Sequence, residues 1–126
     1  MRLGIISDTH GMLRPEVFEV FKEVDRIIHA GDIGSLDLLT ELEAIAPVLA
    51  VYGGTDTVVS AEVCAPMATR ALNQHPNALV LVVPGMNHGM QRLDPVPAPK
   101  AGELLEDTMP PRMVEAVAHW LSERLR

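Results

Sequence analysis

The sequence predicts an α/β fold: a three-layer sandwich in which a four-stranded parallel sheet carries helices on both faces. Two observations lead there. Four short apolar runs alternate with segments of helical periodicity, the pattern of parallel βαβ units. The composition supplies a core for such a sheet, with 48% hydrophobic residues but only 3% aromatic ones, so that Val, Leu, Ile, Ala and Met must fill it. At 126 residues the chain suits one hydrophobic core, and residues 1–126 are expected to form a single α/β domain.

The first strand is expected over Arg2–Ser7, ending at Asp8. Pro15 opens a helix, since its missing N–H costs nothing in the first turn. Val17, Phe18, Phe21 and Val24 recur at helical spacing and form its buried stripe. The second strand, Arg26–Ala30, ends at Gly31-Asp32; Ser35 is placed to cap the next helix, whose inner face is Leu38, Leu39, Leu42 and Ile45. The third strand, Val48–Tyr52, ends in Gly53-Gly54 and Asp56. A helix from Ser60 to Asn73 follows, with Pro66 predicting a late start or a kink. Ala78–Val83 is the fourth strand. Residues 89–108, with DPVPAPKAG, read as a long surface loop, and a last helix begins at Pro110-Pro111 with Met113, Val117, Trp120, Leu121 and Arg124 along one stripe.

With strands in the order 1-2-3-4, right-handed crossovers place three helices on one face. Only the terminal helix is left for the other, which gives Trp120 its purpose. Residual apolar surface there predicts a weak homodimer.

A net charge of −7 argues against a nucleic-acid partner, which would require clustered Lys and Arg. A single cysteine, Cys64, excludes an intramolecular disulfide and fits a reducing compartment. The first apolar run is too short, and ends too polar, for a signal peptide or membrane span. The expectation is a soluble, cytoplasmic protein with no membrane partner.

In a parallel sheet the functional groups gather where strands end and loops converge. All four strands end in such groups: Asp8 and His10, then Asp32, then Asp56, then Asn87 and His88. One electronegative rim follows from the topology. His29, inside a strand, reads as a packing residue. His75 and His119 read as solvated residues without partners, Cys64 as inert packing, and Met86 and Met90 as lining the rim.

The motifs ISDTHG (Ile6–Gly11) and HAGDIGS (His29–Ser35) resemble the first two motifs of the calcineurin-like metallophosphoesterases, in their small bacterial-type phosphodiesterase branch. This resemblance covers roughly residues 1–52. It implies that Asp8 and His10 bind one metal ion and that Asp32 bridges two, holding them close enough to share an attacking hydroxide. The same family calls for Gly-Asn after the third strand, where this chain has Gly53-Gly54, and for later histidines in a pattern that is absent here.

Gly53-Gly54-Thr55-Asp56 and Pro84-Gly85-Met86-Asn87-His88 resemble the acid and histidine loops of the α/β-hydrolase fold enzymes. This second resemblance covers roughly residues 47–126, and implies that Asp56 and His88 form a catalytic pair. No G-x-S-x-G elbow precedes them, and Gly31–Ser35 lacks the spacing. The two resemblances overlap at residues 47–52.

The expectation is therefore a chimera, engineered or recombined, of a metallophosphoesterase-like half (1–52) and an α/β-hydrolase-like half (53–126). It would be a scaffold without robust catalysis, with Asp56 and His88 as remnants. The alternative is a protein that binds a divalent transition metal (Mn, Zn or Ni) through Asp8, His10 and Asp32, with Asp56 or His88 replacing lost ligands, and has weak phosphoesterase activity. The second alternative is a serine-less esterase using Asp56, His88 and water.

Overall fold

The computed structural model describes residues 1–88 and 111–123, the side chains of 111–113 excepted. The elements run β1 (Leu3–Ile6), α1 (Pro15–Phe21), β2 (Arg26–His29), α2 (Asp37–Glu43), β3 (Val48–Gly53), α3 (Ala61–Ala71), β4 (Leu79–Val83) and α4 (Pro111–Ser122). The four strands pair in parallel in the order β1-β2-β3-β4, as the sequence predicts.

The central strand β3 is buried along its whole length, and its alternation separates two cores. Val48, Ala50 and Tyr52 face one way, into a cluster with Phe21, Leu38, Leu39, Leu42, Ala61, Ala65 and Ala68 from the three crossover helices. Leu49 and Val51 face the other way, against Leu81, Val83, Met86 and Trp120. Helix α4 thus supplies the third layer. Trp120 is 4% exposed, its indole Nε1–H donates to the Asn77 carbonyl at 2.6 Å, and the Arg26 guanidinium lies 4.7 Å from its ring centroid. Arg26 Nη2 in turn donates to the Glu123 carbonyl, tying the end of α4 to the start of β2.

One helix does not cover four strands. Gly4 turns toward the Phe21 ring, so Leu3 and Ile5 point to the opposite face, and Ile5 is 65% exposed. Its register partner Ile28 packs into the α4 core, so among the described residues the cover stops between β1 and β2.

Several local expectations are corrected. Phe18 is 42% exposed, because a helix of seven residues turns only Val17 and Phe21 inward. Ser35 does not cap α2: Leu36 is already in right-handed helical geometry, and the Ser35 backbone carbonyl accepts from Leu38 N–H instead. Helix α3 starts before Pro66 and runs through it, capped by the Ser60 hydroxyl accepting from Val63 N–H at 3.4 Å. Met86 is a core residue, not a rim residue. His75 and His119 have partners, with His75 Nδ1 3.8 Å from Glu43 and His119 Nε2 3.3 Å from Glu123. The loop expected over residues 89–108, Met90, Pro110 and Arg124 lie outside the described residues.

Candidate metal centre

The two loops that follow β1 and β2 are fastened to each other beyond the ends of their strands. Asp8 N–H donates to the Gly31 carbonyl (3.0 Å), His10 N–H to Asp32 (3.2 Å) and Gly11 N–H to Ile33 (2.7 Å). Gly34 makes the approach possible. Its φ is +85°, and a Cβ there would stand 2.3 Å from Gly11 N, so only glycine fits against this backbone.

This fastening holds Asp8, His10 and Asp32 in left-handed backbone geometry, with φ of 54°, 51° and 53°. Side chains other than glycine adopt that region at a cost of order 1 kcal/mol each, although Asp and His tolerate it better than most. All three strained positions carry potential ligands, and one donor atom from each lies within 4.8 Å of the others. His10 Nε2 is 2.7 Å from Asp32 Oδ2. Asp32 is largely buried, whereas His10 is open to solvent. Two carboxylates and an imidazole converging this closely suit a divalent ion, whose charge would relieve the crowding of the acidic pair.

Beneath the cluster lies His29, fully buried. Its Nδ1 accepts from Gly31 N–H at 3.2 Å, which leaves Nε2–H to donate to Thr9 Oγ1 at 2.9 Å; Thr9 passes the bond on to the Ile33 carbonyl at 2.9 Å. A neutral imidazole therefore joins the residue between Asp8 and His10 to the residue before Asp32. Burial lowers its pKa to about 4, against the opposing charges of Asp8 and Asp32. His29 is the buried, satisfied packing residue that the sequence suggests, and it is also the joint between both ligand loops. The signal available was a polar ring inside an apolar strand, whose two nitrogens must find partners.

At the far side of Asp32, the ends of β3 and β4 bring in Asp56 and His88. Asp56 Oδ1 accepts from Val58 N–H and Val59 N–H, both at 2.8 Å, while its Oδ2 stands 3.0 Å from His88 Nδ1. Burial alone would raise the Asp56 pKa, but the two backbone N–H groups and His88 outweigh it and lower the pKa below the ordinary value. His88 moves the other way. Its hydrogen bond to Asp56 raises its pKa over the opposing effect of desolvation, and the charges of Asp56 and Asp32 add to the rise. His88 Nε2 faces Asp32 Oδ2 at 3.2 Å. The five ionisable residues expected on the rim therefore form one group, with a continuous chain from His10 through Asp32 and His88 to Asp56. Asn87 contributes its backbone to this corner, since its carbonyl closes on Gly53.

Gly54 occupies the position where the phosphoesterase resemblance calls for Asn. A Cβ there would meet the Val83 carbonyl at 3.0 Å and Pro84 Cα at 3.2 Å, so the close packing of β4 favours glycine. Beside the cluster, a cleft of about 360 Å³ is lined by Asp8, Thr9, His10, Met12, Arg14 and Val17, among others. Among the described residues Arg14 is the only Lys or Arg on its wall, and sequence reasoning passed over it.

Comparison with known proteins agrees with the first of the two resemblances. The model of the calcineurin-like phosphoesterase superfamily domain matches residues 1–115. The chain belongs to that superfamily. A "Probable metallophosphoesterase" of Methanothermobacter thermautotrophicus is 52% identical over 61 residues, covering 44% of this chain and 36% of that protein. A protein of the same printed description from Methanocaldococcus jannaschii is 43% identical over 61 residues, covering 44% of this chain and 32% of its own length. A phosphodiesterase of the latter organism is 40% identical over 62 residues, covering 44% and 37%. The matched parts thus span about a third of these relatives. No solved structure matches the chain significantly.

The expectation of an inactive engineered scaffold is overturned. The family match passes through the junction expected at residues 47–52 and continues to residue 115, and the named relatives are phosphoesterases. The α/β-hydrolase resemblance gains no support from these comparisons, although the Asp56–His88 pair it pointed to is present. His88 Nε2 is turned to a carboxylate, which is not the arrangement of a base facing a nucleophile. Among the described residues, no helix is long and apolar enough to cross a membrane.

Proposed function

We propose that the chain is a metal-dependent phosphoesterase that hydrolyses phosphodiesters at the ends of β1 and β2. The observation that carries this reading is the convergence of Asp8, His10 and Asp32 within 4.8 Å, in a chain of the calcineurin-like phosphoesterase superfamily. The mixed oxygen and nitrogen donors favour Mn, Zn or Ni over Ca, because imidazole suits transition metals. A divalent ion held there would supply a water of lowered pKa and charge to neutralise the phosphoryl oxygens.

The chain's own residues have separate tasks. Asp8 and Asp32 provide the anionic donors, and His10 adds a nitrogen from the solvent side. The 360 Å³ cleft beside them offers the space for a substrate, and Arg14 on its wall provides a guanidinium for a phosphate oxygen. His29 and Thr9 keep both ligand loops at their spacing from below. The printed description of one relative as a phosphodiesterase supports a diester as substrate class.

The test is turnover on an activated phosphodiester, bis(p-nitrophenyl) phosphate, by chelator-stripped protein with and without added Mn²⁺. The expected result is hydrolysis that requires the metal and falls at least 100-fold in Asp32→Asn. Metal-independent hydrolysis, or an Asp32→Asn variant as active as the parent, would contradict the proposal.

A further inference from the structure

We infer that the apolar wall of the cleft beside Asp8 and His10, formed by Ile6, Met12 and Val17, grips the ester group that stays on phosphorus. The preferred substrate is then a diester with one compact aromatic or apolar group there, and Met12 is the residue that sets the preference. This rests on the metal-dependent phosphodiesterase reading and deepens it.

The wall is built by a short stretch of chain. Ile6 closes β1 and Val17 lies in the first turn of α1; both pack on one side against the core under the crossover helices and line the cleft on the other. Met12 is placed differently. It follows Gly11, whose φ is +83°, and its N–H donates to the Thr9 carbonyl at 3.0 Å. Met12 is 66% exposed and, among the described residues, joins neither core cluster. A single exposed methionine is ordinary. Phe18 and Val20 on the adjacent helix are exposed as well, but they do not line the cleft, whereas Met12 does.

The chemistry of the cleft divides in two. Asp8 and His10 belong both to the metal cluster and to the cleft wall, so the cleft opens directly onto the cluster. Arg14, held extended before Pro15 with φ −72° and ψ 147°, stands on the same wall and answers the negative charge of a diester. A phosphate group has no use for the rest of the surface. Ile6, Met12 and Val17 are relieved of water only by an apolar part of the substrate. The departing ester must leave the site, whereas the other remains on phosphorus throughout, and a fixed wall serves the second.

Size and charge narrow the class. The cleft of about 360 Å³ lies near the small end of ligand pockets, which run from roughly 300 to 1,000 Å³. One ring-sized group fits beside the phosphate, and several units of a polymer do not. The net charge of −7 opposes a polyanion as well. Methionine suits the task because its unbranched, polarisable side chain adapts to rings of different shape.

The experiment compares methyl p-nitrophenyl phosphate with phenyl p-nitrophenyl phosphate on Mn²⁺-loaded protein. Both release p-nitrophenolate, so the bond broken is the same and only the retained ester differs. Corrected for the uncatalysed rates, the parent should favour the phenyl ester about 10-fold in kcat/KM, mostly through KM. Met12→Ser should lower that ratio about 5-fold, while Met12→Leu and the off-cleft control Phe18→Ser keep it. A second readout needs no turnover. In Zn²⁺-loaded protein with ¹³C-labelled methionine methyl groups, the Met12 signal, assigned by its absence in Met12→Leu, should shift with diphenyl phosphate and not with dimethyl phosphate. A parent ratio near one, a ratio unchanged in Met12→Ser, or a Met12 methyl that ignores diphenyl phosphate would each overturn the role of the wall and leave metal-dependent hydrolysis standing. Hydrolysis of neither ester would overturn the phosphodiesterase reading and this inference with it.

Discussion

His29 offers the sharpest quantitative prediction. Its imidazole is buried and neutral between Thr9 and Gly31, with a pKa lowered from 6.5 to about 4 by burial. The unfolded chain takes up a proton on this ring near pH 6.5, whereas the folded chain resists it down to about pH 4. Between those values the unfolded state binds more protons, so stability must fall as pH falls. The full separation of the two pKa values corresponds to about 3 kcal/mol, of which about 2 kcal/mol is lost by pH 5. Against a typical total of about 5–15 kcal/mol this is a large share. Urea unfolding followed by circular dichroism at intervals from pH 7.5 to 5, on metal-free protein, measures it. The non-titrating His29→Gln variant serves as reference. The parent should lose about 2 kcal/mol relative to His29→Gln across that range, with no relative change above pH 7.5. Parallel curves for the two proteins would refute the claim that His29 is held neutral beneath the site.

Two other substitutions probe the loops and the cleft. Gly34→Ala forces a Cβ to within 2.3 Å of Gly11 N at a φ of +85°, so it should destabilise the fold by about 2 kcal/mol or more, read as a lower urea midpoint; an unshifted midpoint would mean the loops part freely. Arg14→Ala removes the one guanidinium that the described residues bring to the cleft, and should raise KM for a phosphodiester about 10-fold with little effect on the urea midpoint; an unchanged KM would remove Arg14 from substrate binding.

The sheet was legible because its signals are local and redundant. β3 is a continuous apolar run buried on both sides, and Asp8, Asp32, Asp56 and His88 each directly follow an apolar strand, so a parallel sheet had to bring them to one edge. What could not be read depended on contacts across the chain. The buried joint of His29 with Thr9 spans 20 residues, and neither residue shows by itself that the other is its partner. Phe18 looked buried because helical spacing says which residues share a face, but not that a seven-residue helix exposes one edge of it. Ser35 looked like a cap because its residue type suits one, whereas the backbone of Leu36 already begins the turn. The functional expectation failed for a related reason. Glycine at position 54 was read as the end of the family likeness, whereas the family match runs on to residue 115 and the packing of β4 against Gly54 itself favours glycine.

The central claim is that Asp8, His10 and Asp32 hold a divalent ion that makes this chain a phosphoesterase. The most direct measurement follows the rate of bis(p-nitrophenyl) phosphate hydrolysis as Mn²⁺ is titrated into chelator-stripped protein, alongside calorimetric binding on the same sample. The account predicts that rate and binding saturate together, and that both are lost in Asp32→Asn. Binding without turnover, or turnover that persists in Asp32→Asn, would contradict it.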